Sequence, residues 1–110
     1  MRQVLEKLLL EGKDDPLLRF TLANACLQDG EGETALAHVQ RAIALNPDYS
    51  AAWKLRGAIL HKLGRFEEAL QVWREGRTVA ERKGDLQAAR EIGVFVKRLE
   101  RQCTAANHNK

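Results

Sequence analysis

The 110-residue chain has few of the residues that build disulfide-rich or membrane proteins. Its two cysteines, Cys26 in an apolar stretch and Cys103 near a polar end, have neither the number nor the spacing of a disulfide scaffold or a zinc site, so we expect free thiols. Charges interrupt every apolar run, including the first. We therefore expect neither a secretory signal nor a membrane span, and a cytoplasmic location.

Sequence patterns that mark enzymes are also missing. The chain has no Gly-rich phosphate loop, no pair of histidines one helical turn apart, no Ser/His/Asp arrangement and no paired carboxylates in apolar surroundings. The adjacent Glu67 and Glu68 lie at a predicted helix start, where the helix dipole favours acidic side chains. We expect a non-enzymatic protein with no catalytic residue, no cofactor and no metal ion.

The sequence does contain a repeat with a period of 34 residues. Gly30 recurs as Gly64, and Ala35 recurs as Ala69. Turn-forming residues divide each period into two stretches with helical spacing of apolar side chains. The sequence thus predicts two helix pairs, residues 16–49 and residues 50–83.

Small and large side chains alternate within the second predicted pair. Two antiparallel helices approach closely only where the facing side chains are small, and this favours Gly57 and Ala69 as the contact. Larger side chains should fill the space on either side of it. They are Trp53, Leu60, Phe66 and Trp73.

These positions carry a resemblance to a known family. In the second unit they are Trp53, Arg56-Gly57, Leu60, Ala69 and Trp73, and in the first they are Leu22-Ala23, Cys26, Ala35, Val39, Ala42 and Pro47. The pattern resembles that of tetratricopeptide repeat (TPR) proteins. The resemblance implies an all-α fold in which antiparallel helix pairs stack as a short right-handed superhelical solenoid of about six helices. The sequence departs from the family pattern at Arg19 and Arg56 and lacks a proline after the second unit.

Both ends of the predicted stack are incomplete repeats. Residues 1–13 should form a capping helix, and residues 85–102 a solvating helix in which the repeat pattern recurs after 36 residues instead of 34. Together these elements make one domain, residues 1–103. The polar segment 104–110 is expected to be a disordered tail.

The resemblance also implies a peptide-binding groove on the concave face of the stack. Residues 1–50 contain 5 basic and 8 acidic side chains and residues 51–110 contain 13 and 7, so the second half favours an acidic partner. The expected function is a protein-interaction adaptor that binds a peptide in this groove, and charge complementarity favours an acidic peptide. The predicted groove residues are Phe20, Asn24, Leu27, Gln28, Lys54, Ala58, His61, Lys62, Arg90, Val94, Lys97 and Arg98.

Three alternatives to this interpretation differ in the partner. A TPR subclass clamps acidic chaperone C-termini with Lys, Asn and Arg, but the matching places here hold Phe20, Asn24, Leu55, Gln87 and Glu91, of which only Asn24 agrees. Helical repeats can also bind RNA, although the basic face has few aromatic side chains for base stacking. Weak self-association through the ends of the stack is the third alternative.

Overall fold

The computed structural model describes residues 1–108 and contains six helices and no strand over that span. This confirms the predicted all-α class. The helices are α1 (Arg2–Leu10), α2 (Pro16–Gln28), α3 (Gly32–Leu45), α4 (Ser50–Lys62), α5 (Phe66–Lys83) and α6 (Leu86–His108).

The helix boundaries follow from local chemistry in the sequence. Asp15 caps α2, because its carboxylate accepts a hydrogen bond from the backbone N–H of Leu18 at 2.8 Å. Pro16 occupies the first turn, where a missing N–H costs nothing. Gly30 and Gly64, 34 residues apart, adopt φ angles of 77° and 78° in the turns after α2 and α4. Most other residues resist this left-handed conformation, so both turns depend on glycine.

The six helices stack along the longest dimension of a molecule of 51 × 32 × 18 Å. Each helix packs against the next, and α2 also contacts α4, which in turn contacts α6. The helices α2, α4 and α6 therefore line one side of the stack. None of the described helices combines the length and the apolar character that a membrane span requires.

The contact between α4 and α5 depends on two glycines. A Cβ atom at Gly57 would overlap the indole of Trp73, which confirms the predicted close approach at this position. Ala69 is fully buried, as expected. The sequence analysis missed Gly76, where a Cβ atom would lie 2.7 Å from the Cβ of Trp53. Each indole therefore lies against a glycine of the neighbouring helix.

Two predictions about individual segments are wrong. Phe66 was expected to fill the space between α4 and α5, but it is 44% exposed, because it is the first residue of α5 and lies at the end of the helix pair. The sixth helix does not stop at residue 102. It continues to His108 through most of the predicted tail, because Ala105 and Ala106 favour helix and no glycine or proline interrupts it. Residues 109 and 110 of that tail lie outside the described residues.

The first helix packs on α2, at the opposite end of the stack from α6. Its apolar face is only half-buried and consists of Leu5, Leu8 and Leu9. Arg2 adds a polar connection, since its guanidinium donates hydrogen bonds to Asp29 at 2.9 Å and to Glu31 in the turn before α3. Ion pairs as well as apolar contact thus hold α1 in place.

Candidate functional site

A pocket of about 350 Å³ opens between α4 and α6. Helix α4 provides one wall, α6 the other, and a side chain of α5 reaches between them. We refer to it as the aromatic pocket, and its lining residues are Ala58, His61, Trp73, Phe95, Arg98, Leu99 and Gln102.

Stacked rings give the aromatic pocket a defined shape. The ring centroid of Trp73 lies 6.0 Å from that of His61 and 5.2 Å from that of Phe95. The indole N–H of Trp73 donates a hydrogen bond to the backbone carbonyl of Lys54 at 3.0 Å, which fixes the orientation of the ring. Trp73 is only 5% exposed, so its indole forms a rigid floor and cannot act as a mobile lid.

The rim of the aromatic pocket is polar and accessible. The side chains of His61, Arg98 and Gln102 are exposed. No ion pair of Arg98 occurs among the residues that the structure describes. The guanidinium can therefore receive a carboxylate through two parallel hydrogen bonds, while the rings below it receive an apolar group.

Three of the twelve predicted groove residues meet in the aromatic pocket, namely Ala58, His61 and Arg98. Lys54 lies nearby on α4, but its ammonium group is 3.0 Å from a carboxylate oxygen of Glu91 on α6. An acidic ligand that binds Lys54 would therefore have to compete with Glu91 for its ammonium group. The exposed Arg90, Val94 and Lys97 are on α6 but do not line the pocket.

The predicted residues of the first unit do not join this pocket. The ring of Phe20 packs on Tyr49 at 5.2 Å, and the side-chain amide of Asn24 donates to the carbonyl of Phe20 at 3.4 Å. Leu27 and Lys62 line a separate pocket of about 120 Å³. The remaining predicted residue, Gln28, is exposed at the end of α2.

Sequence reasoning missed four residues of the aromatic pocket: Trp73, Phe95, Leu99 and Gln102. A signal for two of them was present, because Phe95 and Gln102 lie one helical turn on either side of the predicted Arg98 and must share its face. Trp73 was predicted to fill space between helices, and both Trp73 and Leu99 are core residues, 5% and 2% exposed. The pocket is an opening in the core through which their edges reach solvent.

A cluster of charged and polar side chains lies away from the aromatic pocket, where α2 meets α3. Arg19 donates two hydrogen bonds to Asp14, at 2.7 and 3.0 Å, and these hold the pKa of the Asp14 carboxyl at about 2. Arg19 also lies 3.1 Å from Nδ1 of His38. Burial, and then the charge of Arg19, lowers the pKa of His38 below its ordinary value. Through these bonds, and one from Arg41 to Asp14 at 3.3 Å, the cluster connects α2, α3 and the residue before the α2 cap to one another.

Comparison with known proteins agrees with this architecture. A family model described as tetratricopeptide repeat matches residues 20–78. The TPR repeat-containing protein PA0015 of Pseudomonas aeruginosa is 41% identical over 104 residues, which cover 94% of this chain and 99% of the relative.

Solved structures extend the similarity to the whole stack. The solution structure of protein BPP2914 from Bordetella parapertussis has a TM-score of 0.87 at 36% identity, covering 98% of this chain and 94% of that one. The TPR2B domain of yeast Sti1, solved in a complex with pHsp70, has a TM-score of 0.83 over 92% of this chain and 81% of its own. Its 18% identity makes it a similarity of fold alone.

Proposed function

The chain belongs to the tetratricopeptide repeat family, and from this premise we propose that it is a non-enzymatic interaction module that binds a peptide segment of a partner protein. The observation that carries the proposal is the aromatic pocket, which is open on the side lined by α2, α4 and α6 and has a free guanidinium at its rim. The yeast domain of similar fold, solved in a complex with pHsp70, supports the same class of function.

The shape and chemistry of the aromatic pocket indicate what the peptide brings. Its volume of about 350 Å³ is near the lower end of the roughly 300–1,000 Å³ of ligand pockets, so it suits one large apolar side chain. Phe95 and Trp73 provide the apolar contact. Arg98 then pairs with an acidic group next to that side chain, and Gln102 bonds to the peptide backbone.

Selection from a phage-displayed random peptide library is the first test. The proposal expects enriched peptides to contain an apolar residue adjacent to Asp, Glu or the terminal carboxylate. Failure to enrich any peptide, together with retention of RNA by the same protein, would favour the nucleic-acid alternative instead.

Charge reversal then tests the position of the site. We expect Arg98→Glu to weaken binding of a selected peptide by about tenfold or more, equivalent to roughly 1.4 kcal/mol, because it replaces attraction by repulsion. Lys13→Glu is the matched control, because it makes the same charge change at an exposed residue between α1 and α2. Fluorescence anisotropy measures both affinities after circular dichroism has verified folding. Equal affinities for the two variants would place the binding surface elsewhere.

A further inference from the structure

An ion pair joins α4 to α6 on the N-terminal side of the aromatic pocket, and we refer to the surface between the two helices, from this pair to the aromatic pocket, as the cleft. The ammonium group of Lys54 lies 3.0 Å from Glu91, and the two side chains are 37% and 44% exposed. The pair lies beside an open recess of about 250 Å³ that is also lined by Asp85. The ammonium group of Lys54 is therefore already paired with the carboxylate of Glu91, and a carboxylate of a ligand would have to compete for it.

We propose that Glu91 is a specificity-determining residue that competes internally for Lys54, so that the cleft accepts one acidic group, at Arg98, and excludes a second. This inference rests on the proposed function and specifies which peptide the cleft selects. A ligand with a single acidic group next to its apolar side chain can bind the aromatic pocket and Arg98 while the Lys54–Glu91 pair stays intact. A ligand with two acidic groups along the cleft gains nothing from the second.

The charges around Lys54 explain the exclusion. A second ligand carboxylate would have to displace Glu91 and remain close to it, and like charges at such a distance repel. Asp85 adds to this repulsion. Its position is fixed, because it caps α6 by accepting a hydrogen bond from the backbone N–H of Ala88 at 3.1 Å. Removing the Glu91 charge alone therefore frees Lys54 without removing the cap.

Helix geometry gives the spacing between the two ends. Lys54 and His61 are seven residues apart on α4, as are Glu91 and Arg98 on α6. At 1.5 Å per residue each interval is about 10 Å. Three residues of an extended peptide cover about the same distance.

Two synthetic peptides test the inference. The first has one leucine followed by one aspartate in a Gly/Ser background, and the second adds an aspartate three residues before the first. Their affinities are measured by fluorescence anisotropy for the wild type, Glu91→Gln and Lys54→Gln/Glu91→Gln. Glu100→Gln is the matched control, because it removes another ion pair of α6, between Glu100 and Arg74, outside the aromatic pocket.

We expect the wild type and Glu100→Gln to bind the two peptides within about twofold of each other. Glu91→Gln should bind the doubly acidic peptide about two- to fivefold tighter than the wild type does, the range set by an exposed ion pair, and the singly acidic peptide unchanged. The additional Lys54→Gln change should abolish that gain.

Three results would overturn the inference. An unchanged affinity of Glu91→Gln for the doubly acidic peptide would mean that Glu91 does not control Lys54. A wild type that already strongly prefers two acidic groups would mean that Lys54 is accessible. In both cases binding that still depends on Arg98 leaves the proposed function intact, whereas failure of every variant to bind either peptide would overturn the proposed function as well.

Discussion

The two repeats place different pairs of side chains at equivalent positions of their helix contacts. Ala23 and Val39 occupy the positions in the first unit, and Gly57 and Trp73 occupy them 34 residues later. All four residues are buried. The second unit gives up a methyl group on one helix, and this makes room for an indole on the other. Because the edge of that indole is the floor of the aromatic pocket, the exchange of volume contributes to the shape of the candidate site in the second repeat.

The two units also differ in how polar their interiors are. His38 and Arg19 of the first unit correspond to Val72 and Trp53 of the second. The first unit therefore uses hydrogen bonds and charge where the second uses apolar packing. The difference suggests that stability of the first unit depends on pH and that stability of the second depends on volume.

The largest expected effect comes from removing the space for the indole. Gly57→Leu should destabilise the domain by more than the roughly 1–3 kcal/mol typical of overpacking, because even its Cβ would overlap Trp73. Urea denaturation followed by circular dichroism measures the change.

Gly93 provides a control position for that substitution. It occupies the corresponding position of α6, but a Cβ there would lie 3.5 Å from the nearest atom, in Arg77, which is an ordinary contact. Gly93→Ala should be neutral or stabilising by up to about 1 kcal/mol from helix propensity. Comparable destabilisation by both variants would contradict the explanation based on Trp73.

Replacing Gly57 and Trp73 by the residues at the equivalent positions of the first unit tests whether the two positions are energetically coupled. Gly57→Ala and Trp73→Val should each destabilise the domain. The double variant should be more stable than the sum of the single effects implies by about 1–2 kcal/mol, because the smaller side chain accommodates the added methyl group. A double-mutant cycle from urea denaturation measures this coupling, and strict additivity would show that the two residues are independent. The double variant should also lose peptide binding.

Mild acid should affect the first unit through His38. Its pKa is lowered in the folded state by burial and by Arg19, so the unfolded chain binds a proton more readily. The resulting stabilisation is fully present above the unfolded pKa of about 6.5 and is lost as the pH falls below that value. We expect His38→Gln to reduce the dependence of the urea midpoint on pH between 7.5 and 5.5. The same dependence in both proteins would assign it to other groups.

The smallest effect is expected from Asp14 in stronger acid. Its folded-state pKa of about 2 is below its ordinary value of 3.8, so its contribution is present above 3.8 and is lost as the pH falls through 2. Asp14→Asn should remove that part of the acid denaturation curve and have little effect on the affinity of the aromatic pocket for peptide. A circular dichroism titration from pH 5 to pH 1.5 measures the first effect, and an unchanged curve would contradict it.

The sequence predicted the helices better than it predicted the residues that line the aromatic pocket. Aspartate, proline and glycine have local backbone preferences, and for this reason the helix ends at Asp15, Pro16, Gly30 and Gly64 can be recognised from the sequence. No such residue follows Gly93, and the predicted end of α6 was accordingly wrong.

Features of the site depend on how helices are oriented relative to one another. Arg98 and His61 were predicted from the resemblance to TPR proteins, and both line the aromatic pocket. The contact between Lys54 and Glu91 depends on how α6 is rotated relative to α4. That rotation is set in part by the connection through α5, where the repeat is two residues longer than 34. Periodicity within one helix contains no information about that rotation.

One wall of the aromatic pocket belongs to α6, which among the described helices contacts only α4 and α5. Helices with few neighbours open more readily than central ones, and amide hydrogen exchange detects such opening. A peptide held between α4 and α6 would bind only the closed form. Its affinity would therefore include the free energy of closing α6, and ligand concentration would determine how often that helix detaches.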